Sequence, residues 1–330
     1  MTSLTKAPPK RLTALSLLLR WEWLLVLLII VACFVNSSLS KYFLDVDNLF
    51  DMTFNFMEKS LVALAMTFII ISGNIDLSVA SNLAMSAVIM AITFQSGLNI
   101  WLAVLLGLFV GTVGGLINGL LISRVRLPAL VVTLGTYAFY RGVAFVLLGD
   151  LVVKGFSESF MYIGQGDMPN TPIPVPLLLF SAMAVLFGLV LHRTTFGRFI
   201  YAIGNNEEAC RYSGVAVSRI KIIIFALSGF MSALAGVVMT ARFGSVRPNI
   251  AAGLELDVIT AVVLGGVDIF GGQGSILGVV LALFLMGIVR FGMSLKNVPG
   301  QVQSTLIGVL LIMAILLPQL LRRLAPRSRA

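Results

Sequence analysis

Apolar residues in this chain run unbroken for many positions. They show neither the strict alternation of a half-buried strand nor the one-sided stripe of a surface helix. Leu24 to Val35 reads LLVLLIIVACFV, and similar runs recur to the C-terminal end. A spanning helix needs about 20 mostly apolar residues, fewer where it is broken. On that measure the pattern predicts ten spans, near 22–40, 53–72, 77–95, 98–122, 128–149, 174–192, 220–241, 255–269, 275–294 and 302–321. Continuous runs also exclude a barrel of the outer-membrane type, whose strands alternate.

Composition turns this pattern into a solvent assignment. Of 330 residues, 58% are hydrophobic and 11% charged, with a mean hydropathy of +1.02. A soluble domain carries about 25% charged residues, and a fold of this size has too little interior to hide the excess apolar surface. In lipid, only helices or closed barrels satisfy every backbone group. The predicted fold is therefore all-α: a polytopic membrane protein of about ten helices, some of them broken or re-entrant.

The polar residues between spans give orientation. Lys6, Lys10 and Arg11 precede LTALSLLL, but Arg20 and Glu22 follow with no small-residue cleavage site, so this is read as a retained first helix with Trp21 and Trp23 at the interface. The two ends and the loops after even-numbered spans together hold fifteen of the 23 Lys and Arg residues. The opposite segments collect Asp45, Asp47, Asp51, Glu58, Asp150, Glu158, Asp167, Glu255 and Asp257. Both termini are expected to be cytoplasmic. The expected organisation is a cytoplasmic segment 1–21, a transmembrane domain 22–321 and a cytoplasmic tail 322–330. Within the domain, 150–173 is a periplasmic loop and 193–219 a cytoplasmic one. The net charge of +9 then reflects membrane orientation and requires no nucleic acid.

Chemistry for catalysis is scarce. His192 is the single histidine, and Cys33 and Cys210 lie in unlike surroundings, so neither a histidine-based metal site nor a disulfide framework is expected. No G-x-x-x-x-G-K-[ST] stretch occurs, so this chain carries no P-loop and binds no cofactor; ATP, if used, is used by another subunit. An ion-coupled carrier, the alternative, needs paired intramembrane ionisable groups that the sequence scarcely offers.

Two stretches break the apolar pattern without ending it. IIISGNIDLS (Ile69–Ser78) and LGGVDIFGGQGS (Leu264–Ser275) each join two apolar runs through glycine and aspartate. Aligned on Gly73 and Gly265, Asp76 corresponds to Asp268. Gly73, Asn74, Asp76 and Ser78 form one candidate helix break, and Gly265, Gly266, Asp268, Gly271, Gly272 and Gly274 the other. Either the aspartates cap helices at or near the interface, or discontinuous helices set polar groups at a substrate site near mid-membrane. A further match, Gly119–Gly135 with Gly292–Gly308, has a different offset, so no internal repeat is defined. Asn55, Asn118, Thr133 and Tyr137 are candidates to line a path for a polar substrate, and helix packing would equally explain them.

The loop 193–219 reads as punctuation for a short helix. Asn205 is placed to cap it with Glu208 three residues on, Arg211 stands four after Glu207, and Gly214 supplies a stop. A helix of about two turns is marginal alone and must dock on something. The stretch EEACRYSG resembles the EAA-x3-G element of ATP-binding-cassette importer permeases, with Cys210 in place of the second alanine. TTFGRFIYAIGNNEEA, LPALVVTLGTYAFYRG, GLELDVITAVVLGGVDIFGGQGSILG and ISGNIDLSVAS together resemble the sugar permeases of ribose, arabinose, xylose, rhamnose and autoinducer-2 importers, over about Asn48 to Leu317. The resemblance implies a dimeric bacterial inner-membrane permease, its second copy identical or homologous, served by two ATPase subunits and a periplasmic sugar-binding protein. It further implies that Gly197, Arg198, Gly204, Asn205, Glu207, Glu208, Arg211 and Gly214 lie in the loop that receives the ATPase.

Overall fold

In the computed structural model, residues 21–309, with 312 and 316, are described. The segment 1–20, half of the predicted span 302–321 and the tail 322–330 lie outside the described residues. The chain folds as helices α1 (Trp21–Leu39), α2 (Val46–Phe54), α3 (Met57–Ile71), α4 (Val79–Gln95), α5 (Ile100–Ser123) and α6 (Ala129–Leu148). After β1 (Val153–Lys154) come α7 (Glu158–Gln165), α8 (Val175–Arg193), α9 (Thr195–Asn205), α10 (Glu207–Tyr212) and α11 (Val217–Phe243). Then follow β2 (Ser245–Val246), α12 (Leu254–Leu264) and α13 (Ile276–Leu295), with helical backbone again over 300–309.

Six of these helices are long and apolar enough to cross a membrane, or seven if α2 and α3, bent by 57° at their junction, form one span. The predicted span 53–72 is thus two helices meeting at Asn55 and Phe56. The predicted spans 77–95 and 255–269 are represented by α4, of 17 residues, and α12, of 11. The loop 193–219 holds two helices where one was expected. Within 150–173, β1 pairs antiparallel with β2, Val153 opposite Val246, a small sheet in a fold expected to be wholly helical.

Helix α3 is the axis of the bundle. Every residue of it except Lys59 is buried, which explains why its sequence is apolar on all sides. Around it pack α11, α12, α8 and α13. The tightest pairing is α5 against α11, where glycines let the backbones approach: a Cβ on Gly111 would lie 2.9 Å from the Gly229 carbonyl oxygen. Lipid supplies no hydrophobic drive between helices, so such small-residue contacts hold them by close packing. The outer helices α1 and α6 present Leu27, Ile30, Phe34, Phe139 and Val146 outward, apolar surface suited to lipid.

Three ion pairs gather at one end of the bundle. Arg242 Nη1 lies 3.1 Å from Glu58 Oε1, whose side chain is 2% exposed, and Arg242 Nη2 donates to Asn55 Oδ1 at 2.7 Å. Asp257 accepts from Lys59 at 2.5 Å and from Arg290 at 2.7 Å. The other end carries the helix breaks.

Candidate functional site

Both breaks begin with the same helix ending. At the end of α3, Gly73 N–H donates to the Ile70 carbonyl at 2.9 Å and Asn74 N–H to Ile69 at 3.1 Å. At the end of α12, Gly266 donates to Val263 at 2.9 Å and Val267 to Val262 at 3.3 Å. Gly73 and Gly266 take φ values of +77° and +85°, the left-handed conformation this ending demands and glycine adopts cheaply. The structural match is therefore Gly73 with Gly266, one position off the alignment on Gly265, and Asp76 and Asp268 fall at different distances from their helix ends. Each aspartate nevertheless accepts a backbone amide two residues on: Ser78 N–H donates to Asp76 at 2.9 Å, and Phe270 N–H to Asp268 at 3.0 Å. Such local turns suit aspartate.

The neighbourhoods then diverge. Asp76 is 2% exposed and also accepts from the Ser78 hydroxyl at 2.6 Å and the Ser228 hydroxyl at 3.0 Å. Ser228 lies eleven residues into α11, about 16 Å along its axis, so Asp76 bonds inside the bundle rather than at a helix end. Asn118 donates to Ser78 Oγ at 2.8 Å, and the Tyr140 hydroxyl donates to the Gly114 carbonyl at 2.8 Å beside Asn118. Thr133 donates to the Ile75 carbonyl at 3.3 Å. Buried polar groups need such partners, and this cluster ties the first break to α5, α6 and α11.

The second break faces a different element. Helix α9 lies across both: the Tyr201 hydroxyl donates to the Gly274 carbonyl at 2.7 Å, and Asn205 Nδ2 to the Gly272 carbonyl at 3.4 Å. The two breaks also touch, Gly272 N–H donating to the Ile71 carbonyl at 2.8 Å. Gly204 sits where a Cβ would run into the backbone of both Ile71 and Gly272, and a Cβ on Gly271 would lie 2.9 Å from the Gly73 Cα. Three stretches distant in sequence thus meet in one backbone-to-backbone junction. Trp21 closes it from the side, its indole N–H donating to the Leu264 carbonyl at 2.7 Å, and Ser275 caps α13 by accepting Gly278 N–H at 3.1 Å.

Helix α9 continues directly into α10. Thr194 caps α9 by accepting Gly197 N–H at 3.2 Å, and Arg198 is exposed on its surface. The cap of α10 is Asn206, which accepts Ala209 N–H at 2.9 Å, not Asn205. Asn205 is still helical in α9, so its side chain is free to reach Gly272, and Glu208, at the second helical position, closes no capping box. Glu207 accepts from Arg211 and from Lys221, each at 2.6 Å, which fastens α10 to the start of α11. Partial burial pushes the Glu207 carboxyl up, but Lys221 and Arg211 outweigh it and hold the group below the usual carboxylate range. Gly214, at φ +80°, ends the helix, leaving Tyr212 91% exposed.

Of the residues expected on a sugar path, Asn118 and Thr133 are brought together at the first break. Tyr137 is half-buried one turn beyond Thr133 on α6, and Asn55 lies at the opposite end of α3. Sequence reasoning missed Tyr201 and Ser228; Tyr201 stands four residues before Asn205, a spacing that puts both on one helix face.

Long apolar helices packed around a buried axial helix define a multi-pass membrane protein. Residues 48–315 match the family described as branched-chain amino acid transport system, permease component, and the chain belongs to that family. It is 36% identical over 312 residues to the autoinducer 2 import system permease protein LsrD of Klebsiella pneumoniae, covering 92% of each chain. The LsrD proteins of Yersinia enterocolitica and Escherichia coli K12 are also 36% identical, over 89% of this chain and 90% and 91% of theirs. No solved structure matches. The chain is a permease subunit of an ATP-binding-cassette importer of the inner membrane.

Proposed function

We propose that this permease carries a small sugar or sugar-like signal, of the ribose, rhamnose and autoinducer-2 class, from periplasm to cytoplasm. Two copies of a separate ATPase subunit would drive it, a periplasmic binding protein would deliver the substrate, and an identical or homologous permease would complete the passage. About ten spans with both termini cytoplasmic is the arrangement that agrees with the basic residues and with the junction lying at the end opposite Glu58 and Asp257. The chemistry needed from this chain is mechanical. Helix α10, with Glu207, Glu208, Arg211 and the exposed Tyr212, offers the surface a motor docks on.

The observation that carries the reading is α9 lying on both helix breaks. A displacement of α10 passes through the rigid α9 to Gly272 and Gly274, and through Gly204 to Ile71. It therefore reaches α3 and α12 at their ends, where left-handed glycines let each helix tilt without breaking its hydrogen bonds. The test is reconstitution of the chain with its ATPase, its binding protein and any sister permease in vesicles, following uptake of labelled ribose, rhamnose and autoinducer-2. ATP-dependent uptake of one of them is expected. Uptake driven by a proton gradient without ATP would overturn the proposal in favour of an ion-coupled carrier.

A further inference from the structure

At the end of the bundle opposite the junction lies a cavity of about 600 Å³ between α3, α12, α13 and the helical residues 300–309. Small-molecule sites run about 300–1,000 Å³, so the volume suits a monosaccharide with water around it. Lys59, Asp257 and Arg290 line it, with side chains 21%, 18% and 24% exposed. Both cations converge on the single carboxylate, so the group carries one net positive charge. Arg290 also keeps a buried Nε donor with no hydrogen-bond partner among the described residues. Thr260 lies one turn further along α12, and Ser304 and Gly308 form part of the far wall.

Charged side chains drawn into an apolar bundle are costly, and where they converge on a cavity they mark a place for polar cargo. A carboxylate flanked by an ammonium and a guanidinium presents acceptors beside donors, the pattern that pairs with neighbouring hydroxyl groups. We propose that this cavity is the chamber that receives the substrate, a small polyhydroxylated molecule, with hydroxyls donating to Asp257 and accepting from Lys59 and Arg290. The assignment rests on the importer reading above and names the residues that reading lacks. Helix α12 then has a second role. Its 11 residues begin at the chamber and end at the junction, a rod of about 16 Å through which motion at α9 reaches the bound molecule.

The test reads uptake beside ATP hydrolysis in the assembled complex, so a misfolded variant is told apart from a blocked chamber. With Cys33 and Cys210 replaced by alanine, Ser304→Cys is introduced, the complex is reconstituted, and a bulky thiol reagent that forms a reducible mixed disulfide is added. Uptake of whichever sugar the unmodified complex carries should fall at least tenfold, binding-protein-stimulated ATP hydrolysis should persist, and reductant should restore uptake. A second variant, Gly308→Trp, fills the same space, since Gly308 lines the cavity and a Cβ on it meets nothing within 4 Å among the described residues; it should block uptake as Gly308→Ala does not. Full modification with unchanged uptake, or an introduced thiol closed to the reagent, overturns the chamber while leaving the importer standing. An unmodified complex that carries none of the three removes the proposed substrate class, and the chamber with it.

Discussion

The two helix breaks use one kind of ending for opposite purposes. At the first, Asp76 is buried, holds three hydrogen bonds and leads within two residues into α4. At the second, Asp268 is half-buried and seven residues separate it from α13, a stretch spent on contacts with α9 and α3. A polar network in a low-dielectric interior is strong when satisfied and costly when broken, which suits a fixed pivot. A glycine-rich loop held by a few backbone contacts suits a lever. The contrast teaches that a glycine–aspartate motif specifies the turn, while the elements packed against it decide whether the turn is anchored or driven.

The contrast can be broken most severely at Gly204, which touches both breaks. Gly204→Val places a Cβ against the Ile71 and Gly272 backbones, where neither can yield without separating α9 from the bundle. ATP-dependent uptake should fall at least a hundredfold, measured in reconstituted vesicles with membrane insertion checked by protease protection. The next comparison sets the two aspartates against each other. Asp76→Ala strands the Ser78 amide and the Ser78 and Ser228 hydroxyls, each lost partner costing about 1–3 kcal/mol. Asp268→Ala takes the acceptor from the Phe270 N–H, a local turn bond at a half-buried site. Thermal unfolding in detergent should show a clear drop in Tm for Asp76→Ala, with Asp268→Ala measured beside it.

Tyr201→Phe sharpens the lever alone. It deletes the bond to the Gly274 carbonyl, worth about 1 kcal/mol, and should lower uptake severalfold while ATPase co-purification is unchanged. The smallest effect lies outside both breaks, at Glu207. Its carboxyl is held below the ordinary range in the folded protein, so its contribution is complete above the ordinary carboxylate value and is lost as pH falls through the lowered one. Association of the ATPase should weaken over that acidic window in the wild type. In Glu207→Gln it should start weaker at neutral pH and change less, read by co-purification across pH.

Much of this was legible in the sequence because lipid simplifies the physics. Unbroken apolar runs announced the helices, and glycine with aspartate announced both breaks. What periodicity does not carry is which distant breaks meet, because that depends on Gly204, Gly271 and Gly272, whose role is to lack a side chain. The register error between Gly265 and Gly266 has the same origin: several adjacent glycines fit the turn equally well in sequence, and only hydrogen bonding selects one. Helix α9 was hidden because RTTFGRFIYAIGN mixes charged, aromatic and small residues, the composition of a helix lying along a surface. Asn206 displaced Asn205 as the cap since either asparagine serves and α9 extends one residue further. The chamber at Asp257 was equally hidden; its carboxylate was read as a marker of orientation, and nothing in the local sequence links it to Lys59, 198 positions away.

The central claim is that α9 and the second break move as one body under the motor. Spin labels on Arg198→Cys and Phe270→Cys, both exposed positions, in a chain with Cys33 and Cys210 replaced by alanine, report that separation directly in the reconstituted importer. The account predicts one distance distribution for this pair, identical with and without ATP, while a Phe270→Cys and Val125→Cys pair shifts between the two states. A change in the Arg198–Phe270 distance on ATP binding, in a complex that still transports, would contradict it.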